Sequence, residues 1–493
     1  MPTGYHDTIA HHSIFEREAM SDFAKTYKTF RGLPPVAGLA TMEEAARPGM
    51  SVEQCVARLK RLHYCFMRLH EILTARITAE PIYELKTALS LHSYWCAEHV
   101  KALRERVAEM REPPLGLEQV PHEGLRVAFD EILAAPTTEE LVLGVYAVTL
   151  PLLDEAISAY RQATNPLTDA PSVRVLRFAQ LEVADMIAYG EKAAPCLVAA
   201  PATHDALIER LRHGFASAGG ILGDAPESPV PERVFSKTPY IYERVPRRDE
   251  RWQDLWNQGV NAEAFIYDEH MPAKAKTLML LFKRLREIDV PEMMASIIIE
   301  TKGKPWDYYR DMSRQLWDEA RHAMMGEVGF AALGVDWTKA RITHNWSHRL
   351  NTECTPLERH AVLYFIEQGL MTKTGKRYEW EVGQESGIPL MATIQDFDWA
   401  DEVLHAQLGR QWYIPMFADW KEAIAYGDQC WTRILSNWEG VRDQGLTKHE
   451  NWWPTVYKQA CAAWKESPNP TVLAYAEDYS GTRADLKNVA TSA

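Results

Sequence analysis

Trp317-Asp318-Glu319-Ala320-Arg321-His322 and Ala400-Asp401-Glu402-Val403-Leu404-His405 decide the reading of this chain. Both contain Asp-Glu-x-x-His. At 3.6 residues per turn, Glu at i and His at i+3 project from one helix face. Each stretch therefore offers one carboxylate and one imidazole nitrogen to a single metal ion. Mixed oxygen and imidazole donors suit iron or manganese. The Asp before each Glu lies four residues ahead of its histidine. It is expected to accept the proton on the histidine's other ring nitrogen and so fix the ring. One Glu-x-x-His alone reads as a solvated helix face. Two copies 83 positions apart (402 − 319), both with the preceding Asp, read as a metal site.

Working outward, apolar residues recur at three and four positions over 51–110, 130–195, 273–302, 305–333, 355–371 and 390–412, which predicts a mostly α chain. Four helices are expected in the C-terminal half. The first runs from Ala273 to Lys302. The second runs from Pro305 to near Gly334, with the proline tolerated in its first turn. The third runs from Pro356 to Leu370 and the fourth from Pro389 past Trp412. Segments 335–354 and 372–388 read as a loop and a polar, Gly-rich excursion.

A two-metal site in such a bundle needs one further Glu from each of two more helices. Counting back from the turn at about 303–304 puts the depth of Glu319 near residue 288, so Glu287 is the first candidate and Glu292 the second. On the third helix Glu367 lies among apolar neighbours, where a lone carboxylate would be costly. Glu358, beside Arg359, reads as solvated. His360 and Tyr364 share the Glu367 face. His360 is either an extra ligand or part of a buried polar stripe, the latter being preferred. His344 and His348 have i, i+4 spacing in what reads as a loop.

With those residues in view, 262–412 resembles the ferritin-like di-iron carboxylate superfamily. Within it the chain is similar to a bacterial ferritin-like group related to tRNA-hydroxylating di-iron enzymes. The matching pieces are Glu287-Ile288-x-x-x-Glu292, Trp317-Asp318-Glu319-Ala320-Arg321-His322, Glu367-x-Gly369-Leu370 and Asp401-Glu402-x-x-His405. The sequence departs from the pattern at Pro291, which should kink the first helix just past Glu287 and keeps Glu292 in play. The expected fold is all-α, with two ferritin-like helical bundles in tandem. Residues 1–200 would form a metal-free bundle, 201–255 a Pro/Gly-rich connection, 256–440 the di-metal four-helix bundle and 441–493 a C-terminal extension. In the N-terminal half Glu71, Glu98, Glu155 and Glu182 repeat a spacing of 27. Lys101 and Asp185 then stand where histidines would be needed.

The expected ligands are Glu287, Glu319, His322, Glu367, Glu402 and His405, with Asp318 and Asp401 behind them. They would hold two iron ions, or manganese, or one of each. Glu287 and Glu367 would be terminal and Glu319 and Glu402 bridging or chelating. The expected activity is that of a dioxygen-activating oxidoreductase on a small organic substrate, supplied by an electron donor. The alternatives are a ferroxidase or metal-handling protein and a non-enzymatic interaction protein.

Bulk features narrow the partners. The net charge of −14 argues against nucleic acid, whose phosphates need a basic face. No run approaches the roughly 18–20 consecutive apolar residues of a spanning helix, so no membrane is expected. The start, Met1-Pro2-Thr3-Gly4-Tyr5-His6-Asp7, lacks a basic stretch followed by an apolar one, so no signal peptide is expected. Seven scattered cysteines without a Cys-x-x-Cys pair point to a reducing cytoplasm. A homodimer is an admissible assembly. No Gly-x-Gly-x-x-Gly, phosphate loop or Gly-x-Ser-x-Gly elbow is present.

Overall fold

Ser51 and Gln54 open the first long helix with reciprocal bonds: the Gln54 amide donates to Ser51 Oγ (3.2 Å) and the Ser51 amide to Gln54 Oε1 (2.9 Å). Such a box satisfies two backbone donors left over at a helix start. The computed structural model describes residues 22–110, 116–372, 374–435 and 438–479. All regular structure among them is helical. The chain's start, where no signal peptide is expected, and the end of the C-terminal extension from residue 480 lie outside the described residues.

Ten helices carry the argument. They are α1 (Val52–Ala79), α2 (Tyr83–Met110), α3 (Leu150–Ala163), α4 (Ala170–Leu197), α5 (Ala273–Arg286), α6 (Asp289–Glu300), α7 (Trp306–Ala332), α8 (Pro356–Leu370), α9 (Lys376–Glu385) and α10 (Pro389–Trp412). In the C-terminal half α7 and α10 pack side by side. Helices α5 and α6 lie against α7, and α8 lies against α10. Two glycines allow the close approaches. A Cβ at Gly326 would meet Leu281 O at 2.7 Å on α5, and one at Gly409 would meet the Tyr364 ring at 2.0 Å on α8.

The helix expected over 273–302 is two helices. The break falls at Glu287 and Ile288, and its cause is Pro291. Proline has no N–H to give to the carbonyl four residues back, which belongs to Glu287. That carbonyl instead accepts from the Val290 amide at 2.9 Å. Segment 335–354 contains a short helix, Asn345–Glu353, where a loop is expected. The 372–388 excursion likewise holds α9. Glycines at 375, 383 and 387 hide that helix from a propensity reading.

The two halves share an apolar core. Helix α1 packs on α6 and α2 on α7, and one cluster joins Leu62, Phe66 and Leu69 to Met294, Ile297 and Met312. A second cluster gathers Leu281, Leu285, Phe330, Met391 and Trp453. The 201–255 interval begins with a helix, Asp205–Ser217, and no helix follows until Ala262. Its extended part lies along the body, where the Arg247 amide donates to Thr78 O (2.9 Å). One helical run, Thr138–Ala163, is long and apolar enough to cross a membrane by length and composition, and 67% of its most apolar window is buried inside the protein. All seven cysteines are free.

Candidate metal centre

On α7 the stretch between Leu316 and Ala323 brings polar residues inside, although Leu316 belongs to one apolar cluster and Ala323 to the other. These polar residues include Asp318, Glu319 and His322, all buried. Helix α10 repeats the Glu and His spacing with Glu402 and His405 and adds Asp398 one turn before Glu402, all three buried. Glu287 arrives from the C-terminal end of α5 and Glu367 from α8.

The donors fall into two groups. In the first, Glu319, Glu367, Glu402 and His405 each offer an atom within 4.8 Å of the others. In the second, Glu287, His322 and Asp398 do the same. Glu319 joins them: its Oε1 stands 3.1 Å from His405 Nδ1 and its Oε2 3.6 Å from His322 Nδ1. All six expected ligands therefore come together. Asp398 is a seventh donor that the sequence reading did not single out. The signal for it was present, because Asp398, Glu402 and His405 are spaced i, i+4, i+7 on one helix face.

Whether these residues fit a metal can be judged from their unmade bonds. Glu287 Oε2, His322 Nδ1, Glu402 Oε2 and His405 Nδ1 are buried and have no hydrogen-bond partner. Buried polar atoms are otherwise almost always paired. Four unpaired atoms in two close groups, from carboxylates and imidazoles, are donor types that could hold a transition metal.

Behind the histidines the aspartates cross over. Asp401 of α10 meets His322 Nε2 of α7 at 3.1 Å, and Asp318 of α7 stands 3.5 Å from His405 Nε2 of α10. The expected pairing within each helix is not what forms. Once Nδ1 turns toward the donor group, the opposite ring nitrogen points away from its own helix to the neighbouring one. Arg321, also unremarked in the sequence reading, ties the two aspartates together. Its Nη2 lies 2.6 Å from Asp318 Oδ1 and 2.7 Å from Asp401 Oδ2.

Electrostatics follow from this crowding. Burial opposes a charge on His322, but Asp401, Glu287 and Glu319 outweigh it and push the imidazole up to about 10. His405 is raised for the same reason by Asp318, Glu319 and Glu402. Burial, then the neighbouring Glu402 and Glu319, hold Glu367 protonated far above the usual carboxylate range. Its Oε1 accepts from Gln315 Nε2 at 3.0 Å. In Asp318 burial is overcome by His405 and Arg321, which bring the carboxyl down to about 2.

The remaining sequence candidates lie elsewhere. Glu292 is buried one turn into α6, bonded to Lys86, Arg248 and Ser347 rather than to the donor groups. His360 packs against the Tyr308 and Tyr413 rings, and burial lowers it to about 3. Glu358 closes a capping box with Thr355 and pairs with Arg433 (2.9 Å). His344 and His348 flank the Trp256 ring. In the N-terminal half His99 Nε2 pairs with Glu182 (2.7 Å), Glu98 with Arg310 (3.5 Å), and Lys101 with Asp307.

A narrow cavity of about 60 Å³ opens onto Glu287, Glu319, Glu367 and Glu402. Its walls include Val290, Met293, Leu350, Leu363, Ile366 and Leu370, so it is largely apolar. No family model, curated protein or solved structure matches the chain.

Proposed function

We propose that this chain is a non-haem di-metal oxidoreductase of the ferritin-like di-iron carboxylate type, acting on a small, mostly apolar organic molecule in the cytoplasm. The observation that carries this reading is the pair of donor groups joined through Glu319, with unpaired donor atoms facing both. The C-terminal helices would form the metal bundle. The N-terminal helices would form a second bundle that buttresses it, as the packing of α1 on α6 and α2 on α7 supports.

Two ferrous ions held here would supply two electrons together to dioxygen, and so the oxidising power for an organic substrate. The protein's own part is ligation, orientation and dryness. Asp401 and Asp318 accept a hydrogen bond from each Nε2–H and so leave each Nδ1 lone pair for a metal. The two oxygens of Glu319 serve the two positions. Glu367 is protonated without a metal and gives up that proton to become a ligand. The cavity walls exclude water and admit the apolar body of a substrate. This cavity favours an organic substrate over a ferroxidase or storage role.

The test is metal analysis after iron-replete expression, followed by anaerobic reduction and oxygen exposure. Close to two transition-metal ions per chain, mostly iron, and oxygen consumption on re-exposure are expected. A single zinc per chain with no oxygen uptake would sink the reading.

A further inference from the structure

The two donor groups are built on one plan. Helix α7 offers Gln315, Asp318, Glu319 and His322, and α10 offers Asp398, Asp401, Glu402 and His405, at identical intervals. Glu287 and Glu367 complete the pairing from α5 and α8. The plan breaks at its first position, where a neutral amide on α7 stands opposite a carboxylate on α10. Gln315 donates one hydrogen bond to Glu367. Asp398 is instead gripped by two buried cations. Lys376 Nζ lies 2.9 Å from each of its oxygens, and Arg284 Nη1 bonds Oδ1.

Those cations reach further. Arg284 Nη2 lies 2.9 Å from Glu287 Oε1, and Lys376 Nζ lies 2.8 Å from Glu402 Oε1 and 3.9 Å from Glu287 Oε1. Both side chains are 0% exposed, so solvent does not screen them. At the His322 group, then, both carboxylates other than the shared Glu319 already carry a cation. At the His405 group, among the ion pairs of the described residues, Lys376 pairs with Oε1 of Glu402, and Arg284 acts on Glu402 and Glu319 without pairing with either. Glu402 Oε2 faces His405 Nδ1 at 3.4 Å, and Glu319 and Glu367 bear no cation among these contacts.

We infer that the two metal positions load unequally, the His405 position first and the His322 position second, because Lys376 and Arg284 hold the carboxylates of the latter. The inference rests on the di-metal reading above. A divalent ion entering the His322 position meets two like charges in a region of low dielectric. It must also displace Lys376 from at least one oxygen of Asp398. The ion at the His405 position meets neither obstacle to the same degree. The protein therefore has a one-metal state over a range of metal concentration, and the second position is the exchangeable one. Such a site can take two different metals in a fixed order.

The experiment is an anaerobic titration of the full chain with Mn(II), followed by calorimetry and by electron paramagnetic resonance. The first equivalent should give the spectrum of an isolated Mn(II) ion, and the second a spin-coupled pair. The two dissociation constants should differ by more than about tenfold, the scale on which one charged neighbour tunes a metal site. Lys376→Met, which keeps length and removes charge, should narrow that gap by tightening the second ion, whereas Lys376→Arg should preserve it. His322→Ala should leave one tight Mn(II), while His405→Ala should remove the tight ion. Equal affinities in the unaltered protein, or a tight ion that survives His405→Ala and is lost in His322→Ala, overturns unequal loading while leaving the di-metal reading intact. No Mn(II) or Fe(II) bound at either position overturns the di-metal reading itself.

Discussion

Glu287 and Glu292 lie five positions apart, and both are buried carboxylates, yet they belong to opposite kinds of cluster. Glu292 sits with Asp289 in a closed network. Arg248 Nη2 reaches Glu292 Oε2 at 3.0 Å and Asp289 Oδ1 at 3.2 Å, Lys86 binds Glu292 Oε1, and Ser347 bonds both carboxylates. Two acids meet two bases. Glu287 sits in an open network, where five carboxylates (Glu287, Glu319, Glu367, Asp398 and Glu402) face two permanent cations (Arg284 and Lys376) and two histidines that must take up protons to be cationic (His322 and His405). Buried charge is tolerated only when matched. The first cluster is matched by the chain, and the second is matched only when cations are added or protons taken up. The first is a closed ion-pair network, and the second is the one that the proposed reading assigns to metal. What separates them in sequence is the break that Pro291 imposes, which turns Glu287 to one side and Asp289 and Glu292 to the other.

The largest effect should come from opening the closed cluster. Lys86→Ala takes one of the two cations from Glu292, and Arg248→Ala takes a cation from each acid. Removing one partner of a buried ion pair costs about 3–5 kcal/mol, with or without metal. Glu367→Gln should behave in the opposite way. The metal-free protein already holds Glu367 protonated, so the amide removes no charge and should cost less than about 1 kcal/mol when a chelator is present. It should instead erase most of the stabilisation that metal confers. Urea unfolding with chelator and with anaerobic Fe(II) measures both. A Lys86→Ala protein as stable as the parent would dissolve the distinction between the clusters.

The site was legible in the sequence where the information lies along one helix. Glu319 with His322, and Glu402 with His405, follow from helical spacing, and Pro291 announces the break beside Glu287. Residues whose role depends on a neighbouring helix were not legible. Spacing within α7 cannot reveal that Asp318 serves His405, because that depends on how α7 and α10 are rotated against each other. Lys376 was missed because it opens a helix between glycines in a polar stretch, where a surface loop is the natural reading. Arg248 was missed for a related reason: the Pro-rich stretch around it looks like a linker, yet it delivers a guanidinium to the closed cluster. The Pro/Gly-rich connection expected over 201–255 is without helix from 218 on, although its start holds the helix Asp205–Ser217. The proline and glycine content said nothing of how closely that stretch packs.

The crossed aspartates give a sharper test within the open cluster. Asp401→Asn keeps size and weakens the hold on His322, so it should reduce affinity at the His322 position about 10–100-fold and leave the other position nearly unchanged. Asp318→Asn should do the same at the His405 position. Metal competition against a chelator of known affinity, resolved by ion, measures each. If each variant instead weakens the ion bound by the histidine of its own helix, the crossed geometry is wrong. Arg321→Ala, which unties both aspartates at once, should then weaken both ions by a smaller factor.

The smallest effect per step is that of pH, and its sign is fixed by the histidines. His322 in the metal-free fold is raised to about 10 from an ordinary value near 6.5. Its charge therefore adds stability to the metal-free protein that is fully present below about 6.5 and is lost as pH rises through about 10. A metal needs the neutral ring, so binding at that position must expel the proton anywhere below about 10. His405 and Glu367 are shifted in the same direction and are expected to release protons as well. Metal affinity should then rise with pH across the neutral range, by about tenfold per unit for each proton displaced. The closed cluster offers the contrast. Arg248 and Lys86 overcome burial to hold Glu292 down at about 2, so the Glu292 contribution to stability should not change between pH 6 and 8. Burial and the Glu292 charge raise its neighbour Asp289 to about 6, at the lower edge of that window. Calorimetry in buffers of different ionisation enthalpy counts the protons released by Mn(II). A release of none at pH 7, with affinity flat across pH, would mean that His322 and His405 are already neutral, and Glu367 already ionised, in the metal-free protein.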